Sequence, residues 1–399
     1  MTIYSEIAPL KTVILHKPVE SISRLTPSNC HDYLFDDVLW PEKAGKEHDI
    51  FAQTLRDHGV EVLLIEELLK ESLMLPEAKQ YFIQQHIARS FAHMKEGELL
   101  RQYLDHLSEK ELVSLLLKGM TYSDLGGFSL GLCSRRADPT DFIFPPLPNH
   151  LFMRDSSFWL GDGVSINSMA FGARRPEAVN MATIYRYHPR FKGVNYWYNS
   201  VDSDIQLPSI EGGDVLVISP DCVLIGLGER TQPQAVELLA KRLFQYNATT
   251  KVIAIALPKK RAYMHLDTLM TMVNNDTFCV AFPCEEEIHG WQITAGDSDD
   301  ELVIQEVKNI FDCIARALNL SRLNLIHPGG DQFAREREQW TDSSNLLAIK
   351  PGVVIAYECN TNALATLRRE NIDVLTIPGS ELGRGRGGSR CMSCPVHRE

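Results

Sequence analysis

Short runs of β-branched and other apolar residues alternate with amphipathic helical segments along most of the chain. The runs have the length and composition of buried strands. Between them apolar residues recur at helical spacing, as in the segment that begins at Pro233 and carries Val236 and Leu239. This alternation predicts an α/β fold, although no crisp sequence repeat accompanies it. The runs that we predict as strands cover residues 12–15, 60–64, 215–218, 223–225, 252–255, 353–356 and 374–377.

One segment interrupts the alternation. From about residue 72 to about residue 121 the apolar spacing is helical, and no run resembles a strand. Ser108 and Glu111 form a capping box at the start of one of these predicted helices. We therefore predict a helical insertion within an α/β body. The predicted organisation is 1–71 for the first part of the body, 72–137 for the insertion and 138–399 for the remainder of the body.

The charge of the chain limits its partners. With 40 Lys and Arg against 52 Asp and Glu, the formal net charge is −12. Nucleic acids and anionic membranes attract clustered Lys and Arg, so we expect neither as a partner. No apolar stretch is long enough to cross a bilayer, and residues 1–6 lack the basic and apolar regions of a secretory signal. We therefore expect a cytoplasmic protein.

Two blocks concentrate acids where strands are expected to end. His265 and Asp267 are two residues apart, so both side chains would enter one pocket if the backbone there is extended. Glu211 and Asp214 flank two glycines, a pattern that suits a guanidinium or a metal ion. Taken alone, each block also fits a structural interpretation: a core histidine with a surface aspartate, or a loop with solvated acids.

The C-terminal region carries the best candidate for a reactive group. Residues 383–390, rich in Gly and Arg, lead into Cys391, and nearby positive charge favours a thiolate because it lowers the pKa of a thiol. Cys391 and Cys394 also form a CxxC pair, which could be half of a zinc site or a redox pair. The chain has no second CxxC, but Cys and His elsewhere could complete a metal site. The spacing alone leaves these alternatives open.

Blocks of residues throughout the chain resemble the arginine deiminase family. They follow the order of that family over nearly the whole chain, including the helical insertion. Each block alone has modest specificity, whereas their number and order make the resemblance strong. The blocks are YSEI at 4–7, LFDD at 34–37, KEHD at 46–49, FMRD at 152–155, EGGD at 211–214, HLDT at 265–268, REREQW at 335–340 and CMSCP at 391–395.

The resemblance implies a fold and a set of residue roles. The implied fold is the pseudo-fivefold α/β propeller, or pentein fold, with a helical insertion. The implied catalytic residues are Cys391 as nucleophile, His265 as general acid and base, Asp155 and Asp267 as guanidinium ligands, and Glu211 as their support. The implied substrate-binding residues are Asn149 and Phe152 in the pocket wall, Arg174 and Arg230 on the substrate carboxylate, and Arg386 in a mobile loop over the pocket.

The resemblance also implies a reaction of arginine catabolism, the hydrolysis of free L-arginine to L-citrulline and ammonia through a covalent thiouronium on Cys391. The partners are then L-arginine and water, no metal or organic cofactor is expected, and a homo-oligomer is expected. Relatives that act on agmatine, methylated arginine or protein-bound arginine are the nearest alternatives, but Arg174 and Arg230 favour a substrate with a free carboxylate. A catalytically inactive arginine-binding protein and a papain-like protease are alternatives from other classes.

Overall fold

The computed structural model describes residues 1–91, 95–126, 131–258, 260–282, 288–298 and 301–399. Strands and helices alternate over most of the chain, which confirms the predicted α/β class. The strands are β1 (Leu10–Leu15), β2 (Glu61–Leu64), β3 (Met120–Thr121), β4 (Phe142–Phe144), β5 (Ser157–Leu160), β6 (Gly163–Ile166), β7 (Asn195–Asn199), β8 (Val215–Ser219), β9 (Cys222–Leu227), β10 (Lys251–Ala256), β11 (Met270–Asn274), β12 (Thr277–Val280), β13 (Gly290–Ala295), β14 (Leu302–Val307), β15 (Asn324–Ile326), β16 (Leu347–Lys350), β17 (Val353–Tyr357), β18 (Asp373–Ile377) and β19 (Cys394–Arg398). The α-helices are α1 (Pro41–Asp57), α2 (Ile65–Leu73), α3 (Pro76–Phe91), α4 (Lys95–Asp105), α5 (Glu109–Lys118), α6 (Gly131–Arg136), α7 (Met153–Ser156), α8 (Arg175–Tyr187), α9 (Pro233–Gln245), α10 (Ile310–Ala317), α11 (Gln332–Trp340) and α12 (Thr361–Arg369).

One structural unit recurs in five of the six sheets that the described residues form. In each unit two strands pair antiparallel, and a third strand, reached through a helix, pairs parallel to the second. The unit formed by β8, β9, α9 and β10 is the plainest example. The others are β5–β6–α8–β7, β11–β12–α10–β15, β16–β17–α12–β18 and β19–β1–α1–β2. The units share geometry rather than residue identities, so the sequence shows no matching repeat.

The last of these units joins the two ends of the chain. β19 pairs antiparallel with β1, with Cys394 opposite Ile14, and β1 pairs parallel with β2. This pairing draws the C-terminal segment into the interior. Cys391, in the turn just before β19, consequently belongs to a buried apolar cluster together with Phe35 and Phe152.

The helices α2 to α5 connect β2 to β3. The predicted capping box is present at the start of α5: the Ser108 hydroxyl accepts from the N–H of Glu111, and the Glu111 carboxylate accepts from the N–H of Ser108. Phe82 of α3 and Leu112 of α5 belong to the same buried cluster as apolar residues of β5, β6 and α8. The helical segment therefore packs against the α/β body rather than around a core of its own.

Among the residues that the structure describes, no helix has the length and hydropathy needed to span a bilayer.

Candidate active site

The residues predicted to act on the substrate occupy equivalent places in the repeated units. Four of them lie in the short segments that lead into the first strands of four units. Asp155 precedes β5, Glu211 precedes β8, Asp267 precedes β11 and Cys391 precedes β19. Residues that are distant in sequence therefore occupy the same position in different units, the segment before the first strand.

Cys391 is almost completely buried, with 4% of its surface exposed. Its Sγ lies 3.4 Å from Oδ2 of Asp267, and Nδ2 of Asn345 lies 3.0 Å from the same sulfur. Burial raises the pKa of Cys391 well above the ordinary value of a thiol, and the charges of Asp267 and Asp155 raise it further. The sulfur of the free protein is therefore held as a thiol.

Asp267 is fully buried and is shared between the sulfur and Arg390. Nη1 of Arg390 donates to Oδ2 of Asp267 at 2.8 Å, while its Nε and Nη2 donate to Glu6 at 3.0 and 3.1 Å. Burial raises the pKa of Glu6, but the charges of Arg390, Arg154 and Arg398 and the hydrogen bonds from Arg390 together outweigh burial and lower that pKa to about 2. This buried ion-pair network fixes the Asp267 carboxylate beside the sulfur.

His265 lies between two carboxylates. Its Nε2 is 2.8 Å from Oε2 of Glu211, and its Nδ1 is 3.7 Å from Oδ1 of Asp155. Burial lowers the pKa of His265, but the charges of Asp155, Asp214 and Glu211 and the hydrogen bond to Glu211 together outweigh burial and raise the pKa to about 9. At neutral pH the ring is therefore an imidazolium that can donate a proton.

Gly213 allows the backbone to approach this pair closely. A Cβ at this position would lie 2.7 Å from the ring of His265 and 2.8 Å from Oδ1 of Asp155, distances that no side chain tolerates. The N–H of Gly213 also donates to Oδ1 of Asp155 at 3.1 Å. The glycine in the Glu-Gly-Gly-Asp block thus helps to position the carboxylate as well as the imidazole.

The segment that carries His265 and Asp267 is only partly extended. His265 itself has extended backbone angles, but Leu266–Thr268 forms a turn of 3-10 helix. The carboxylate of Asp214 accepts from the N–H of Leu266 at 2.9 Å, and the Thr268 hydroxyl donates to the carbonyl of His265 at 2.7 Å. These two bonds stabilise the turn. His265 faces the cavity, whereas Asp267 reaches the sulfur without lining the cavity.

Arg174 already bonds to carboxylates of the protein. Its Nη1 donates to Asp155 at 2.7 Å, and its Nε and Nη2 each donate to Glu177 at 2.9 Å. Its Nη2 also reaches the carbonyl of Asn149 at 3.1 Å. Binding of a substrate carboxylate by Arg174 therefore requires an exchange of these bonds, and that role stays a prediction.

Arg230 and Arg386 retain donors for a ligand. Arg230 stacks on Phe171 at 4.5 Å and donates from Nη1 to Glu211 at 3.2 Å. Arg386 lies over the ring of Trp340 at 3.4 Å. Within the described part of the chain, the Nε atoms of both arginines have no hydrogen-bond partner. A carboxylate of a ligand could accept from either.

One cavity joins the predicted residues. Eight of the ten line it, while Glu211 and Asp267 contact His265 and Cys391 from outside its wall. The cavity encloses about 20 Å³, room for about one water molecule, so an amino acid enters only when side chains move. Its lining residues are Leu34, Asn149, Phe152, Asp155, Arg174, Arg230, Met264, His265, Thr268, Gly385, Arg386 and Cys391.

Cys394 has different surroundings from Cys391. Its sulfur lies 3.7 Å from the hydroxyl of Ser157 and 3.9 Å from that of Tyr185, and both cysteines are free. The two sulfurs of the CxxC pair therefore contact separate sets of side chains.

Among the described residues, the potential metal ligands that lie close together do not include the CxxC cysteines. In the ranges described by the structure, one set of potential ligand atoms lies within 4.8 Å of one another, and it consists of Asp155, Glu211 and His265. Arg174 and Arg230 already neutralise the carboxylates of this set. The set includes no cysteine, so it does not complete a zinc site for the CxxC pair.

Some residues that support the site were not predicted to have a role in it. Glu177 binds Arg174, Glu6 binds Arg390, and Asn345 contacts Cys391. The spacing of three residues between Arg174 and Glu177 was an available signal for an ion pair on one helix face. No comparable signal surrounds Asn345, which stands among serines and leucines.

The comparison of the chain with known families agrees with this geometry. The sequence model described as arginine deiminase matches residues 31–398, nearly the whole chain. The chain belongs to the arginine deiminase family. As a member of the arginine deiminase family, it is a hydrolase that acts on guanidino carbon–nitrogen bonds.

Solved structures of other enzymes share the fold of this arginine deiminase family member. A dimethylarginine dimethylaminohydrolase, in an adduct with S-methyl-L-thiocitrulline, is 14% identical, with a TM-score of 0.52 over 96% of this chain and 99% of that chain. The enzyme of the same name from Pseudomonas aeruginosa, a cysteine-to-serine variant with citrulline, is 14% identical, with a TM-score of 0.53 over 97% and 99%. The N-terminal domain of a cyanobacterial arginine dihydrolase, bound to product, is 13% identical, with a TM-score of 0.54 over 97% of both chains. At these identities the likeness establishes the mixed α/β pentein fold alone.

Proposed function

We propose that the protein is an arginine deiminase that hydrolyses free L-arginine to L-citrulline and ammonia. The observation that carries the proposal is the position of the Cys391 sulfur, 3.4 Å from Asp267 and in the wall of the cavity that His265 and Asp155 also line. A thiol, an imidazolium and two carboxylates are the groups needed to attack, protonate and hold a planar cation. Membership of the arginine deiminase family and the citrulline held by a structural relative support the same substrate class.

Positioning supplies a large share of the proposed catalysis. A guanidinium carbon is a poor electrophile because its positive charge is delocalised over three nitrogens. Carboxylates of Asp155 and Asp267 on those nitrogens fix the carbon in line with the sulfur of Cys391, which replaces a random encounter with a near-attack geometry.

Substrate binding also creates the nucleophile in this proposal. The acids that raise the pKa of Cys391 in the free protein are the groups that a bound guanidinium neutralises. As the cation binds, the pKa of Cys391 falls and the thiol proton passes to solvent. The thiolate then attacks the guanidinium carbon and forms a tetrahedral adduct.

His265 acts in both halves of the reaction. Its imidazolium gives a proton to the departing nitrogen, the carbon–nitrogen bond breaks, and ammonia leaves a thiouronium on Cys391. The neutral imidazole next takes a proton from water as that water attacks the thiouronium carbon. The second adduct collapses with cleavage of the carbon–sulfur bond, and the remaining hydroxyl proton returns to the sulfur as citrulline departs.

Recognition of the substrate carboxylate is assigned to Arg230 and Arg174, with Arg386 above the pocket. Arg230 keeps an unpartnered Nε for this purpose, whereas Arg174 must exchange a bond to Asp155 or Glu177. The incoming guanidinium also binds Asp155, so it can displace Arg174 toward the carboxylate end of the substrate.

A substrate panel tests the proposed specificity. Purified protein is incubated with L-arginine, agmatine, Nω-methylated arginines and an arginine-containing peptide, and release of ammonia and of the ureido product is measured. We expect the fastest release of ammonia from L-arginine. Release from agmatine, which lacks the carboxylate, should be much slower. A preference for agmatine, for a methylated arginine or for the peptide would overturn the assignment, as would tight arginine binding without ammonia release.

We further propose that the five repeated units surround the cavity as a pseudo-fivefold propeller. The equivalent positions of Asp155, Glu211, Asp267 and Cys391 before the first strands of four units support this arrangement. The helical insertion is proposed to span residues 72–137, between the body segments 1–71 and 138–399.

A further inference from the structure

The fifth repeated unit also directs a polar side chain toward the reacting sulfur. In four units the segment before the first strand holds a residue of the proposed active site, and in the fifth unit the equivalent segment, before β16, holds Asn345. Asn345 is 1% exposed. Its Nδ2 lies 3.0 Å from Sγ of Cys391 and 3.2 Å from the carbonyl oxygen of Asp267.

The direction of this contact follows from the other hydrogen bonds of the amide. The N–H of Cys391 donates to Oδ1 of Asn345 at 3.0 Å, so the oxygen of the amide must face the backbone of the cysteine. The carbonyl of Asp267 can only accept, so it must face the nitrogen. With both ends of the amide assigned by their partners, an N–H of Asn345 points at the sulfur.

Asn345 is itself held in a rigid setting. The Ser389 hydroxyl donates to the carbonyl of Ile355 and accepts from the N–H of Leu347, which ties the segment before Cys391 to the β16 unit. A Cβ at position 388 would lie 2.6 Å from the carbonyl oxygen of Asn345 and 2.8 Å from its Oδ1. Gly388 therefore permits the close approach of the two segments.

We propose that Asn345 is a further residue of the catalytic machinery, which holds the Cys391 sulfur in one orientation and stabilises it as a thiolate by donating an N–H. The proposal rests on the proposed role of Cys391 as nucleophile. Asp267 and Asp155 favour the thiol form of this sulfur, whereas an amide N–H favours the thiolate, since a donor bonds more strongly to an anion than to a neutral acceptor. The charge of Arg390 also lowers the pKa of Cys391 and so opposes the surrounding acids.

The test measures the reactivity of the sulfur separately from turnover. Asn345→Leu removes all three hydrogen bonds of the amide while keeping a side chain of similar size, and Asn345→Ser removes the amide with a smaller side chain. The rate of alkylation of Cys391 by iodoacetamide is measured against pH, with the labelled peptide identified by mass spectrometry. We expect each variant to lower this rate and kcat about ten- to a hundredfold, to move the alkylation profile to higher pH, and to change KM less than kcat.

Asn360→Leu is the matched control. Asn360 is also 1% exposed and also bonds through both ends of its amide, but to Thr341 rather than to a site residue. We expect this variant to lose stability while Cys391 keeps its alkylation profile. Should Asn345→Leu fail to fold, Asn345→Ser gives the answer.

The outcomes separate this inference from the proposed function. A folded Asn345 variant whose alkylation profile and kcat match those of Asn360→Leu overturns the role of Asn345 while arginine turnover by the unsubstituted protein still stands. An unsubstituted protein that releases no citrulline overturns the proposed function, whatever the alkylation of Cys391 shows.

Discussion

Replacing Glu211 with glutamine removes one of the carboxylates that keep His265 charged. In the buried site, Oε2 of Glu211 lies 2.8 Å from Nε2 of His265. A pKa of about 9 for His265, against its ordinary value of 6.5, corresponds to about 3 kcal/mol in favour of the imidazolium. That preference is a balance between burial, which opposes the charge, and the attraction of Asp155, Glu211 and Asp214.

The interaction of Glu211 with the imidazolium is larger in free energy than this net preference. At this separation and an effective dielectric constant of about 20, a carboxylate favours the imidazolium by up to ~6 kcal/mol. We therefore expect the pKa of His265 in Glu211→Gln to fall to about 7 or below. At pH 8 the ring would then be mainly neutral and unable to protonate the departing nitrogen, so kcat should fall by about 10²- to 10⁴-fold.

Two measurements check this expectation. Titration of the histidine ring by NMR gives the pKa directly, and kcat measured across the same pH range shows whether activity follows the imidazolium. Glu229→Gln is the control, because Glu229 is a nearby acid on the exposed surface, and it should change neither quantity. If His265 in Glu211→Gln still titrates near pH 9, Asp155 and Asp214 suffice and the role assigned to Glu211 is wrong.

Further predictions concern the sulfurs and the buried ion pairs. Cys391→Ser should abolish citrulline release with the fold retained by circular dichroism, whereas Cys394→Ser should keep measurable activity; complete loss in the latter would favour a paired-cysteine role. A nonreactive arginine analogue should lower the pKa of Cys391 in a titration of thiolate absorbance, and an unchanged pKa would rule out ionisation assisted by substrate. Arg390→Met removes the guanidinium that binds both Asp267 and Glu6 in the buried network, so the free energy of unfolding in urea should fall by about 3–5 kcal/mol. Because the folded-state pKa of Glu6 is about 2 against 4.5, its stabilising contribution is present above about pH 4.5 and is lost as the pH falls toward 2. This dependence should be weaker in Arg390→Met, which keeps the charges of Arg154 and Arg398 near Glu6.

The sequence predicts those parts of the fold that local pattern controls. Every strand predicted from an apolar run is present within two residues of its expected bounds, and the capping box at Ser108 forms as expected. β6 (Gly163–Ile166) was not predicted, because its glycine and serine have weak strand preference. It forms because it pairs with β5 on one side and with β7 on the other, and pairing between distant segments leaves no local signal.

In the candidate site, too, the residues with a local sequence signal could be predicted, whereas contacts between distant segments could not. Cys391, His265 and the acids stand in blocks whose composition marks them as unusual, and the structure brings all ten predicted residues together. The partners that set their ionisation are far away in the chain: Glu6 meets Arg390 across 384 positions. Asn345 meets Cys391 across 46 positions and carries no motif. Only the folded chain could assign these contacts.

The most direct test of a nucleophilic Cys391 is mass spectrometry of the C-terminal peptide during turnover. Protein mixed with L-arginine is quenched in acid within one turnover and digested, and the peptide that contains Cys391 is weighed. We expect this peptide to gain the mass of arginine less ammonia, and the adduct to disappear as citrulline is released. Citrulline formed at full rate while the Cys391 peptide stays unmodified would contradict this expectation.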